Sequence, residues 1–91
     1  MIKHDFNKSV NIVADVLKEL DSAMNRYPAF NSRHEGYAIL KEEFDEVWDL
    51  IKINHTKNPE CRNEMRKEAI QVAAMAIRFI YDCCDDLKEN W

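Results

Sequence analysis

From Ala69 to Ile77 the chain reads Ala-Ile-Gln-Val-Ala-Ala-Met-Ala-Ile, and only Gln71 is polar. The segment sits inside a longer helical pattern, so it reads as a helix with no solvated face. Such a helix has to be enclosed on every side. The chain has 91 residues, the size of one small domain, and two further helices cannot surround a third. We therefore expect a homo-oligomer in which this helix packs against its own copy, with the alanines admitting close approach. A symmetric homodimer is the commonest closed solution and a homotetramer the next; either has a four-helix-bundle core. The single glycine and two prolines agree, because a β-sandwich or barrel needs many more turn residues. The expectation is an all-α fold: one domain over residues 1–91, a three-helix protomer and an oligomeric assembly.

The first helix is predicted from about Asp5 to Arg26. Phe6, Val10, Val13, Leu17, Leu20, Met24 and Tyr27 recur at intervals of three and four and form its apolar stripe. Tyr27-Pro28 ends it, because the residue before proline is forced out of the α region. After Pro28-Ala29-Phe30-Asn31, the run Ser32-Arg33-His34-Glu35 reads as a capping box, with Glu35 reaching back to the start of the helix. The second helix is expected to run to about Asn54, with Tyr37, Leu40, Phe44, Val47, Trp48 and Ile51 toward the core and Lys41, Asp45, Asp49 and Lys52 solvated. Asn54 to Asn58 is a polar break. Asn58 caps the third helix, Pro59 takes its first position and Glu60 its positive end. That helix is expected to reach about Lys88.

Charge removes several functions. Thirteen Lys and Arg against seventeen Asp and Glu leave a net charge of −4, the wrong sign for binding a nucleic acid polymer. A Gly-rich phosphate loop is excluded because Gly36 stands alone. Cys61, Cys83 and Cys84, an odd number with a vicinal pair, suit a reducing compartment better than a disulfide framework and lack the spacing of a zinc site. The chain shows neither a signal peptide nor an apolar run long enough for a membrane, so a cytoplasmic protein is expected.

The carboxylates break the apolar pattern. With Leu40 at the centre of the second helix's stripe, Glu43 lies about 60° and Glu46 about 120° off it. Glu43 and Glu46 share a strip with Ile39 and Leu50. On the third helix Glu64, Glu68, Gln71, Met75, Arg78 and Asp82 form one stripe. If the two helices pair antiparallel, Glu43 and Glu46 face Glu68 and Gln71. Acids flanked by apolar residues are costly unless neutralised, and hard oxygen donors suit Mg²⁺, with Mn²⁺ as a substitute. Against this stands the bland reading, a solvated acidic face with i,i+4 partners.

The stretches Asn31 to Trp48, which contains His34-Glu35-Gly36-Tyr37 and Glu42-Glu43-Phe44-Asp45-Glu46, and Met65 to Ala76 resemble the MazG-like all-α nucleoside triphosphate pyrophosphohydrolases, especially small stand-alone members of phage and bacterial type. The resemblance covers about residues 28–82, and the first helix adds little. The family pattern is Glu-Glu-x-x-Glu, a spacer, then Glu-x-x-Asp. This chain has Glu42, Glu43, Glu46 and Glu68, with Gln71 where the family has aspartate. The resemblance implies hydrolysis of a (deoxy)nucleoside triphosphate or related nucleotide to monophosphate and pyrophosphate. It implies Glu43, Glu46 and Glu68 as metal ligands, Gln71 at the fourth ligand position, and Glu42, Glu43 and Glu46 as the catalytic group, with Glu42 a nearby ligand or base. Phosphoribosyl-ATP pyrophosphohydrolases share the architecture and are an alternative.

A neutral amide at position 71 leaves three outcomes open: an active enzyme with fewer ions, recruitment of Glu64 or Asp82, or a non-catalytic helical interaction or nucleotide-binding module. For the substrate, Phe30 and Asn31 are candidate base contacts, and His34, Lys67 and Arg78 candidate phosphate contacts. Each has a plainer reading. His34, Arg66 and Lys67 read first as surface groups and Tyr37 and Trp48 as core packing rather than base stacking, while Arg78 reads equally as the partner of Asp82 one turn on.

Overall fold

The computed structural model describes residues 4–53 and 60–85. The Asp5 carboxylate accepts from the Lys8 backbone N–H at 3.1 Å, and helix α1 follows over Phe6–Arg26. Tyr27 is extended, with φ −128° and ψ 142°, as a residue before proline must be. Helix α2 runs Arg33–Ile51, capped by the Ser32 hydroxyl accepting from the Glu35 N–H at 3.0 Å. The return arm of the capping box lands one residue early. Glu35 accepts from both the backbone N–H and the side-chain amide of Asn31, each at 3.1 Å, two bonds where Ser32 would supply one. α2 also ends before Asn54, where Ile53 donates to the Leu50 carbonyl at 3.1 Å, tightening the last turn.

Helix α3 spans Glu60–Phe79, and a π-helical segment continues over Ile80–Asp85. The polar break, the Asn58 cap, Pro59 and the stretch on to Lys88 lie outside the described residues. Among the described residues no helix is long and apolar enough to cross a membrane.

α3 is the middle of the protomer, and α1 and α2 each pack mainly on it. Asp15 meets Arg66 and Ala23 meets Arg78, so α1 and α3 run parallel. Gly36 lies against Phe79 and Glu43 against Gln71, so α2 runs antiparallel to α3, the pairing that faces the two acidic stretches toward each other. The core is small: Val16, Ala23, Phe30, Ala74, Met75 and Cys83 are buried. At Gly36 a Cβ would fall 2.8 Å from the Phe79 ring and 3.0 Å from the Phe30 ring. The absent side chain lets α2 close on α3 at that end.

A buried clamp fixes the α1–α2 connection. Arg78 and Asp82 are 3% and 4% exposed. Arg78 donates to the carbonyls of Ala23 at 3.2 Å and of Tyr27 and Pro28 at 2.8 Å each, and to Asp82 Oδ2 at 3.3 Å. Asp82 Oδ2 also accepts from the Phe30 N–H at 3.1 Å. One guanidinium thus takes the carbonyls of Tyr27 and Pro28 just beyond α1 and shares that of Ala23 with the Tyr27 N–H, which donates to it at 2.9 Å.

Both outer helices are turned from their expected orientation. Phe6, Val10, Val13 and Leu17 on α1 are exposed, while Val16 and Ala23 point inward. On α2, Tyr37, Phe44, Trp48 and Ile51 are exposed, whereas Gly36, Ile39, Leu40, Glu43 and Leu50 lie on the inner side. In each case the inward direction is about a quarter turn from the most apolar line. Tyr37 and Trp48 are therefore not core residues of the protomer. On α3, Ala74 and Met75 are buried, but Ile77 faces outward with Ala69, as does Ile80 at the start of the π-helical segment. The protomer leaves one side of its apolar helix uncovered.

Candidate metal centre

The quarter turn of α2 carries Glu43 and Glu46 to the α3 side, where one turn of α3 presents Glu68 and Gln71. One carboxylate oxygen from each of Glu43, Glu46 and Glu68 lies within 4.8 Å of the others. With its amide nitrogen turned to the acids, Gln71 donates to Glu43 Oε2 at 2.7 Å and to Glu68 Oε2 at 3.2 Å. Among the described residues no Lys or Arg forms a salt bridge with any of the three acids. This separates the cluster from a solvated acidic face such as Lys41–Asp45, paired at 2.9 Å on the opposite side of the same helix.

The electrostatics follow from the crowding. Glu43 is pushed up to about 7, first by burial and then by the charges of Glu46 and Glu68, a hydrogen bond with Glu46, and the charge of Glu42. Glu68 is also raised, first by burial and then by a hydrogen bond and charge repulsion from Glu46; its hydrogen bond to Glu43 and the Lys67 ammonium pull the other way. Three carboxylates this close repel one another, which favours a retained proton or a bound cation among them.

Two openings flank this wall of acids. On one side a cleft of about 450 Å³ lies between the second half of α1, α2 and α3, with Glu42, Glu43 and Gln71 on its lining. On the other, a shallower groove of about 230 Å³ is lined by Glu46, Asp49, Leu50, Glu64 and Glu68.

Of the remaining expected contacts, Glu42, Phe30 and Arg78 share the lining of the cleft, whereas Asn31, His34 and Lys67 are not on it. Glu42 is exposed at the cleft. Phe30 is core, 5% exposed, with the Arg78 guanidinium 5.3 Å from its ring centre; its edge contributes to the cleft wall rather than to an open loop. Arg78 reaches the same wall, but its donors serve the clamp. Asp82, an alternative metal donor by sequence, is held in the clamp too. Asn31 is tied to Glu35, and His34 and Lys67 are exposed. The contribution of α1 was missed: Glu19, Ala23 and Arg26 wall the cleft. No sequence signal marks them, because only packing brings α1 alongside the α2–α3 pair. No family model, curated protein or solved structure matches this chain, so the case for the site stands on its own geometry.

Proposed function

We propose that the protein is a Mg²⁺-dependent nucleotide pyrophosphohydrolase of the MazG-like class, acting on a (deoxy)nucleoside triphosphate or related nucleotide as a homo-oligomer. The observation that carries this reading is the convergence of Glu43, Glu46 and Glu68 within 4.8 Å beside a cleft. The donor set fits the ion: clustered hard oxygens with excess negative charge suit Mg²⁺ or Mn²⁺. Bound there, the ion would neutralise phosphate charge and acidify a water.

Glu43, Glu46 and Glu68 would hold the cation. Gln71 either turns its amide oxygen toward it or, as a donor, fixes the Glu43 and Glu68 carboxylates. Glu42, at the cleft edge, would accept the proton of a water attacking the α-phosphorus. A P–O bond forms to that water and the bond to the leaving pyrophosphate breaks, leaving the monophosphate. A homo-oligomer would cover the outward stripes of Phe6 to Leu17, Tyr37 to Ile51 and Ile77 to Ile80.

One observation favours a second reading. The Gln71 donor already bridges two of the acids, so the cluster can be partly satisfied without metal, as in a non-catalytic nucleotide-binding or interaction module. Incubation with each common ribo- and deoxynucleoside triphosphate and Mg²⁺, with pyrophosphate measured, separates the two. The enzyme releases pyrophosphate from at least one triphosphate, and Glu43→Ala lowers that rate by about 100-fold or more. Absence of product from every triphosphate supports the module.

A further inference from the structure

Gly36 is the one buried residue of α2, and it stands where that helix meets Phe79 of α3. A Cβ there would lie 2.8 Å and 3.1 Å from two atoms of the Phe79 ring and 3.0 Å from the Phe30 ring. Ordinary contact begins near 3.4 Å, so a methyl needs about 0.6 Å of extra room. The Phe30 ring is poorly placed to yield it. That residue is 5% exposed, its N–H is held by Asp82 at 3.1 Å, and the Arg78 guanidinium sits 5.3 Å from the ring centre. Phe79 packs against the same core. The easier response is for α2 to move off α3.

Gly36, Ile39, Glu43, Glu46 and Leu50 follow one another at alternating steps of three and four, so they form one line along α2. Glu43 lies two turns, about 10.5 Å, beyond Gly36. On α3 the facing stretch runs back from Phe79 to Gln71 and Glu68. The line that starts at the glycine therefore passes through the acids. If α2 pivots about its far end at Ile51, roughly half of a 0.6 Å displacement, about 0.3 Å, reaches Glu43. That is small for packing and large for the cluster. The Gln71–Glu68 hydrogen bond is already 3.2 Å long, and metal–ligand distances are held to about 0.2 Å.

We propose that Gly36 is a positioning residue for the cation site: its bare contact with the Phe79 and Phe30 rings sets the α2–α3 spacing at which Glu43 and Glu46 meet Glu68 and Gln71. The cation affinity that follows rests on the metal reading above; the spacing does not.

Gln71 is the chain's one glutamine, so its side-chain amide can be labelled with ¹⁵N and followed by NMR without any metal. Bonded to Glu43, it should resonate away from a free amide. Gly36→Ala, with helicity checked by circular dichroism, should move that signal toward the free-amide position. It should also weaken Mn²⁺ binding, followed by electron paramagnetic resonance, by about tenfold. Phe79→Val removes the ring atoms the methyl meets, so Gly36→Ala with Phe79→Val should return the amide signal and most of the affinity. Val16→Ala trims a buried residue of α1 and should leave both readouts unchanged. An amide signal unmoved by Gly36→Ala overturns the proposal. So does a double variant that recovers neither readout, or Val16→Ala moving both as strongly. If Gly36→Ala does not fold, the series moves to the Phe79→Val chain, where alanine at this position should leave the amide in place and Gly36→Val displace it; an amide unmoved by both overturns the proposal too. A wild type that binds no Mn²⁺, but whose amide moves and recovers, keeps the positioning role and ends the metal reading. Mn²⁺ binding abolished by Glu68→Ala yet indifferent to Gly36→Ala keeps the metal reading and removes Gly36 from it.

Discussion

At the scale of single residues, Glu43 and Gln71 decide how the cluster behaves. Glu43 carries a pKa raised to about 7. A group whose folded value lies above its unfolded value contributes stability below the unfolded value, near 4.5, and loses it as pH rises through the folded one. The metal-free protein should therefore lose stability between about pH 4.5 and 7 on this account, and a divalent cation should restore it above pH 7. Thermal melts at pH 5 and 8, with chelator and with Mn²⁺, measure both effects; a cation-induced rise in Tm as large at pH 5 as at pH 8 would count against the ligand role. Gln71→Asp removes a donor that bridges two acids and adds a fourth charge. Cation affinity should tighten by about tenfold while the metal-free protein melts lower, and an unchanged Mn²⁺ titration would remove Gln71 from the site. The acids themselves were legible from spacing, because i and i+3 on one helix necessarily share a side. The fate of Phe30 and Arg78 was not, because only the closed fold shows that both are buried.

At the scale of elements, helix existence was readable and helix orientation was not. Tyr27-Pro28 and Ser32 mark ends by local sterics and capping, and α1 and α2 stop and start there. Which side of each helix turns inward is a tertiary choice, set by Gly36 against Phe79 and by the clamp. The Arg78–Asp82 pair joins α3 to the end of α1 and the start of the loop. Removing one partner leaves a buried charge uncompensated, so Asp82→Ala should cost about 3–5 kcal/mol. Chemical denaturation of the variant checks this. A loss below about 1 kcal/mol would mean the pair is effectively solvated.

At the scale of the whole molecule, the protomer is an elongated three-helix unit, 49 × 30 × 27 Å, with few buried residues and many large apolar ones outside. Phe6 is 71%, Phe44 63% and Trp48 56% exposed. Large exposed apolar residues of this kind are what the proposed homo-oligomer would cover. Multi-angle light scattering should return a dimer or a higher closed oligomer, and Phe44→Lys with Trp48→Glu should shift it toward the monomer. A wild-type monomer at high concentration would overturn the oligomer reading. In the sequence the expectation of an oligomer came from the apolar all-round segment of α3; the stripes of α1 and α2, which the structure leaves exposed, read there as ordinary core.

Residue order alone determined that the chain is helical, where its first two helices meet, and that Glu43 with Glu46, and Glu68 with Gln71, each share one side of a helix. These follow from interactions a few residues long: periodicity, capping and the steric rule before proline. Only the tertiary structure decided that α2 turns its acids, and not its aromatics, toward α3, that Arg78 closes the loop, and that α1 supplies the third wall of a cleft. Those outcomes depend on groups 50 or so positions apart, such as the Phe30 backbone N–H and the Asp82 carboxylate, and on the space left by one glycine, and no local pattern records either.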